Sequence, residues 1–287
     1  LVSSTRSEIT SYNRLVRGDV NTDLLAALTQ GKLVRINRST FEREPWLAQS
    51  WEPGADGRTF TLHLRKGVFW SDGQPFTADD VLFSLQAVYD PKVESVVKLP
   101  PSDRHITATA PDPTTVVLTY PEASGPGLRL LDNLYIYPKH KLAPALADGT
   151  FRTAWDSKAA PADLTGTGPF VVKEYQPGQR IVLDRNPRYW RRAQNGDALP
   201  YLDRIVLEIV PDQNAELLRL QSGGIDLTQS ELRADDYVAA RRAESDGKLK
   251  IEELGVGTDA DAFWFCMKPE VKRRDPRFAF VQKKEFR

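Results

Sequence analysis

The sequence predicts an α/β core interrupted by a β-rich insertion, and two stretches carry that prediction. From Arg204 to Leu254 extended and helical segments alternate, the order expected of helices packed on a sheet with parallel strands. The middle of the chain reads instead as hairpins plus one well-marked helix. No internal repeat or low-complexity tract is present.

Composition narrows the classes. The 287 residues suffice for one large domain or two ordinary ones, and 40% hydrophobic with 27% charged residues excludes a disordered chain. With 39 basic and 39 acidic residues, no global field favours nucleic acid or an anionic membrane, and nothing in the balance points to a local basic patch. No apolar run reaches transmembrane length. The single cysteine, Cys266, excludes an internal disulfide and a cysteine-built zinc site. The chain begins at Leu1 and has its one methionine at Met267, which predicts a removed signal peptide or other leader; the abrupt stop at Arg287 predicts a fragment.

The elements follow from local pattern. Asn21 and Thr22 are placed to cap a helix from Asp23 to about Gln30, with Leu24, Leu25 and Leu28 on its apolar side and Gly31 at its end. Leu33–Ile36 reads as a strand. Thr59–Arg65 alternates strictly and sets Phe60, Leu62 and Leu64 on one face. Asp56-Gly57 supplies the turn before it, and Asp72-Gly73 a second between Trp70 and Phe76. Thr77 and Asp80 form a capping box for a helix carrying Val81, Leu85 and Val88, closed by Pro91. Ile106–Ala110 and Thr115–Tyr120 flank Pro111-Asp112-Pro113 as a hairpin. Phe170–Tyr175 and Arg180–Asp184 form another around Gln176-Pro177-Gly178-Gln179, where Pro then Gly suits a type II turn. Ile205–Val210, apolar almost throughout, reads as a buried strand. Asp212 caps a helix with Leu217, Leu218 and Leu220, ended by Gly223-Gly224. Extended structure at Ile225–Leu227, a helix near Ala234–Ala243 and a strand at Leu249–Leu254 complete the pattern.

Catalytic chemistry finds little footing. His63, His105 and His140 are too scattered for a local metal motif and read as surface residues; H-E-x-x-H, Walker A and G-x-S-x-G are all absent. Gly166-Thr167-Gly168 lacks the Lys-Ser/Thr of a phosphate loop, and Pro169 removes an amide donor, so it reads as a tight lead-in to a strand. Asp79 and Asp80 are the most tempting carboxylate pair, yet adjacent helical positions do not face each other and capping accounts for both. A glycosidase with two opposed carboxylates is therefore disfavoured, and no cofactor is implied. Trp46, Trp51, Trp70, Trp155, Trp190 and Trp264 read first as core, with an aromatic-lined cleft for a peptide or sugar as the alternative.

Three ordered blocks resemble the family 5 extracellular solute-binding proteins, the dipeptide and oligopeptide receptors of ABC importers. The first is Pro45-Trp46-Leu47-Ala48-Gln49-Ser50-Trp51-Glu52, running through Asp56-Gly57 to Leu64-Arg65-Lys66-Gly67-Val68 and on to Trp70–Val81. The second is Gly166-Thr167-Gly168-Pro169-Phe170 with Asn186-Pro187-Arg188-Tyr189-Trp190, and the third is Tyr201–Ile205 with Leu220–Asp226. The resemblance covers essentially the whole chain. It implies a periplasmic-binding-protein-like type II lobe with an inserted β-rich α+β subdomain, the second lobe being absent from this chain. The expected layout is a discontinuous core at 1–44 and 162–265, an insertion at 45–161, and the start of a crossover at 266–287.

The resemblance further implies a noncatalytic, extracytoplasmic or periplasmic receptor, with lipid anchoring open. It would capture a peptide or other small solute between two lobes and deliver it to a membrane permease, acting as a monomer and without nucleic acid. An oligosaccharide, an opine or a nickel chelate is the alternative ligand. Cleft candidates are Ser11, Tyr12 and Asn13 after the first strand, then Trp264 and Phe265 at the crossover, and Trp46, for which core burial is the competing reading. Cys266 stands near a position where the family often has Asn, which puts one polar contact in doubt.

Overall fold

The computed structural model describes residues 1–99, 104–125, 127–228 and 232–252; residues 1–249 form one unit and 250–287 a second. The chain opens on β1 (Val2–Thr5) and passes through a long loop into α1 (Val20–Thr29). This helix starts at Val20 rather than Asp23. Asp19 is its N-cap, with Oδ1 accepting from the Thr22 amide at 2.9 Å. Asn21 and Thr22 are buried and bond inward instead, Asn21 to Thr5 and Ser7 and Thr22 to the Ser11 carbonyl. Gly31 does not cap the helix; it opens β2 (Gly31–Lys32), where a Cβ would press on Thr167 and Leu47.

β3 (Val34–Ile36) and β4 (Arg43–Pro45) pair as a short ribbon, and β5 (Ala48–Pro53) and β6 (Thr59–Leu64) as a longer hairpin. The Asp56 carboxylate accepts from the Arg58 and Thr59 amides, both at 2.9 Å, and fixes the turn between them. β6 buries Phe60, Leu62 and Leu64, as its alternation requires. Thr77 is the N-cap of α2 (Ala78–Tyr89), and Asp80 accepts the Thr77 amide at 2.9 Å. β7 (Thr107–Asp112) and β8 (Thr115–Thr119) form the expected hairpin. β9 (Tyr135–Ile136) and α3 (Lys139–Asp148) follow; neither was expected from sequence, since α3 carries Pro144 inside it.

β10 (Phe170–Gln176) and β11 (Arg180–Arg185) turn at Pro177-Gly178, with Gly178 at φ 73° as a type II turn demands. β12 (Arg204–Ile209) leads to α4 (Gln213–Gln221), where Asp212 caps the Ala215 amide at 2.8 Å. The leucine stripe misleads here: Leu218 is 65% exposed, while Glu216 is only 2% exposed. β13 (Leu227–Thr228) is short, and α5 (Tyr237–Ser245) begins after a 3₁₀ turn at Ala234–Asp236. Residues 249–252 have no regular structure, and the rest of the strand expected at 249–254 lies outside the described residues.

These elements make a five-stranded sheet in the order β10-β11-β12-β1-β13, with β1 parallel to both β12 and β13 and the β10–β11 hairpin antiparallel at one side. β12 is buried on one face, at Ile205 and Leu207, rather than throughout. A four-stranded antiparallel sheet, β5-β6-β8-β7, holds the inserted hairpins. One hydrophobic cluster runs through both regions, from Leu62, Trp70 and Val81 to Trp155, Phe170 and Leu207.

Gly166 and Gly168 belong to this packing. The Gly168 amide donates to the Thr29 carbonyl at 2.9 Å, and a Cβ there would lie 2.6 Å from Leu28 O and 2.7 Å from Thr29 Cα. The lead-in to β10 runs against the last turn of α1, and no side chain fits between them.

Candidate ligand-facing site

Parallel strands bring their carboxyl ends to one edge. For β1, β12 and β13 that edge carries Thr5, Ile209 and Thr228, and it is where open α/β sheets take their ligands. At this edge the buried Glu216 of α4 accepts from Ser4 Oγ at 2.5 Å through Oε1. Its Oε2 accepts from Arg6 Nε at 3.1 Å and Arg6 Nη2 at 3.0 Å. Each carboxylate oxygen is thus satisfied, the condition under which a buried charge is tolerated. Arg6 is half-exposed and reaches from this anchor toward solvent. On the other side, Thr5 Oγ1 donates to Asn21 Oδ1 at 2.5 Å, and Asn21 Nδ2 donates to the Ser7 carbonyl at 2.6 Å. The exit of β1 is pinned by both helices. Neither Arg6 nor Glu216 was a sequence candidate; the one signal was a glutamate on a helix whose neighbouring strand is Ser-Ser-Thr.

The predicted residues fall into separate places. Ser11, Tyr12 and Asn13 lie together and are all buried. Ser11 Oγ donates to the Trp155 carbonyl at 3.1 Å and accepts from the Asn13 amide at 3.0 Å. The Tyr12 amide donates to the same Trp155 carbonyl at 2.8 Å. Asn13 Oδ1 accepts from the Leu15 amide at 3.0 Å, while Nδ2 donates to the Phe151 carbonyl at 3.4 Å. Loop 11–13 is therefore stitched to segment 151–155. Burial raises the Tyr12 hydroxyl well above the ordinary tyrosine pKa, with Tyr175 adding to the shift. Tyr12 lines a narrow crevice with Gln30, Trp155 and Phe170.

Trp46 belongs to another cluster. It is half-buried, meets Trp190 edge-on at 5.6 Å, and carries the guanidiniums of Arg35 and Arg191 over its ring at 4.4 Å and 4.3 Å. Arg65 stacks on Trp190 at 4.8 Å. Trp264 and Phe265 lie outside the described residues.

Several other titratable groups are engaged structurally. Asp80, 4% exposed, also accepts from the Lys139 amide at 3.0 Å and Trp70 Nε1 at 3.2 Å, while Asp79 pairs with Lys139 Nζ at 2.8 Å. His140 Nε2 lies 2.7 Å from Asp72 Oδ2, His63 faces Glu52 at 3.5 Å, and His105 stacks on Tyr89. Among the described residues no cluster of three His, Cys, Asp or Glu side chains is arranged for a metal ion, and no helix is long and apolar enough to cross a membrane.

The profile of the bacterial extracellular solute-binding proteins, family 5, middle region, matches residues 42–277. The chain belongs to that family. This family 5 chain is 31% identical over 271 residues to a probable ABC transporter-binding protein of Deinococcus radiodurans, covering 91% of the chain and 46% of that protein. It is 31% identical over 247 residues to the dipeptide-binding protein of Escherichia coli, covering 79% of the chain and 43% of that protein. Among solved structures it resembles the oligopeptide-binding protein AppA of Bacillus subtilis in complex with a nonapeptide. The TM-score is 0.69 at 26% identity, covering 84% of the chain and 45% of AppA. Other matched relatives are named for heme, α-galactoside and nickel binding. The chain spans less than half the length of the three relatives described. The fold is that of a periplasmic-binding-protein-like α/β lobe.

Proposed function

We propose that this chain is one lobe of the peptide-binding component of an ABC importer. It captures di- or oligopeptides against a second lobe and hands them to a membrane permease. The observation that carries the reading is the polar network at the carboxyl edge of the five-stranded sheet, Ser4–Glu216–Arg6, in a chain that resembles peptide-bound AppA. The protein works outside the cytoplasm, as a monomer, by binding and closure rather than catalysis. Residues 1–44 and 162–265 build the lobe core and 45–161 its insertion.

In this reading Arg6 offers the exposed side of its guanidinium to the ligand. Ser11, Tyr12 and Asn13 contribute a fixed loop, held to segment 151–155 by Ser11 Oγ, the Tyr12 amide and Asn13 Nδ2. Trp264 and Phe265 add contacts from the crossover, and Trp46 shapes the base of the insertion. An extended peptide would be held through its backbone, with water filling roomy side-chain pockets.

A thermal-shift panel on the intact protein tests the reading: peptides of two to nine residues, oligosaccharides, heme and nickel–histidine. A ligand at a hundred times its Kd stabilises the folded state by about 2.7 kcal/mol. Peptides are expected to raise Tm. A shift with a sugar, heme or nickel complex and none with any peptide would replace the ligand class.

A further inference from the structure

We propose that Glu216 sets the charge a ligand meets at the carboxyl edge of the five-stranded sheet: it cancels the charge of Arg6, so that the guanidinium offers N–H donors with little net field. The inference deepens the peptide reading and rests on it. Arg6 stands one residue beyond β1, with its side chain 36% exposed, while the Glu216 side chain is 3% exposed. Nε and Nη2 both donate to Glu216 Oε2, at 3.1 and 3.0 Å, and Nη1 makes no bond to the described residues. The guanidinium is thus held in one place by its partner and keeps a nitrogen for solvent or ligand.

An anchor for β1 would not need a carboxylate. A glutamine at position 216 could keep every contact, its oxygen accepting from Arg6 and its amide donating to Ser4 Oγ, which now donates to Oε1 at 2.5 Å. The carboxylate differs from that amide in its charge, and a buried ion pair is weak evidence for stability alone. Its consequence lies at the exposed end of the pair. A lone arginine there would attract acidic ligands and repel basic ones, whereas a cancelled one still donates to a peptide carbonyl, which is neutral whatever the side chains. Arg233, which reaches Asn214 in the first turn of the same helix at 2.6 Å, is paired likewise, with Asp236 at 2.5 and 3.0 Å. Glu8 accepts from the Gly178 amide at 2.7 Å and the Tyr175 hydroxyl at 2.5 Å. Its charge is the same in every variant below, so comparison between variants removes it.

Calorimetry on the intact protein tests the inference, using short alanine peptides that carry Glu, Gln or Lys at each position in turn. The readout is the ratio of Kd for the Lys and Glu members of each set. Glu216→Gln leaves Arg6 uncancelled and should shift that ratio toward the Glu peptides by at least about tenfold at the ligand position nearest Arg6. Arg6→Gln, at about pH 8 where carboxylates are ionised, should shift it toward the Lys peptides at the same position. A pair that only braced the fold would change Tm without moving the ratio. If Glu216→Gln does not fold, Arg6→Gln decides alone. An unchanged ratio in a folded variant, or shifts of the same sign in both, would overturn the inference and leave the peptide reading intact; wild type that binds none of the peptides would overturn both.

Discussion

Asp79 and Asp80 are adjacent and chemically identical, yet replacing each by alanine should give very different results. Asp80 accepts three hydrogen bonds, from the Thr77 amide, the Lys139 amide and Trp70 Nε1, at 2.9, 3.0 and 3.2 Å. It thereby joins the start of α2 to the start of α3 and to the indole of a fully buried tryptophan. Asp80→Ala leaves all three donors without that acceptor. At about 1–3 kcal/mol for each buried donor, discounted because the two amides are only partly buried, the loss is about 3–5 kcal/mol. Asp79→Ala removes one exposed ion pair with Lys139, which contributes about 0–1 kcal/mol. Urea denaturation of the two variants beside wild type measures both numbers, and the midpoint should fall sharply for Asp80→Ala alone. A cost below about 1 kcal/mol for Asp80→Ala, or equal costs for the two, would refute the assignment of Asp80 as the junction of these segments.

Gly168→Ala should cost at least about 2 kcal/mol, because its Cβ would overlap Leu28 and Thr29 backbone atoms that cannot move aside; chemical denaturation reads this directly. Asp80, in the capping box of α2, and Asp56, in the β5–β6 turn, should shift in opposite directions. Burial holds the Asp80 carboxyl above the ordinary range despite its three donors, so the proton-linked part of its contribution, separate from the three hydrogen bonds, is full below the unfolded pKa and is lost as pH rises through the folded one. The Arg58 and Thr59 amides hold Asp56 at about 2, so its contribution is present above the ordinary value and is lost as pH falls toward 2. A carboxyl NMR titration that placed Asp56 above Asp80 would contradict both assignments. If closure against a second lobe supplies much of the affinity, the present chain should bind a peptide at least about 100-fold more weakly than the two-lobed protein, a loss of about 2.7 kcal/mol. Calorimetry showing equal affinities would refute it.

The local chemistry of this fold is legible where residues a few positions apart decide it. The alternation of Thr59–Arg65, the cap at Asp212, the Pro177-Gly178 turn and the Asp80 cap all appear as their patterns require. So does the crowding at Gly166 and Gly168, although only the structure shows that α1 is what crowds them. What sequence hides is set by distant partners. β1 is Val-Ser-Ser-Thr and has no hydrophobic period; it is a strand because β12 and β13 pair with it on either side. Glu216 is buried because Ser4 and Arg6, over two hundred positions away, satisfy it, and this turns the expected leucine stripe of α4 partly outward. Loop 11–13 looks like a free binding loop until Trp155 and Phe151 close over its polar atoms.

The most direct test of the central claim is native mass spectrometry of the intact protein purified without unfolding. Capture of peptides predicts a family of bound masses that resolves into peptide sequences on dissociation. One discrete non-peptide mass, such as a heme, a sugar or a nickel complex, would keep the family 5 fold and contradict the peptide assignment.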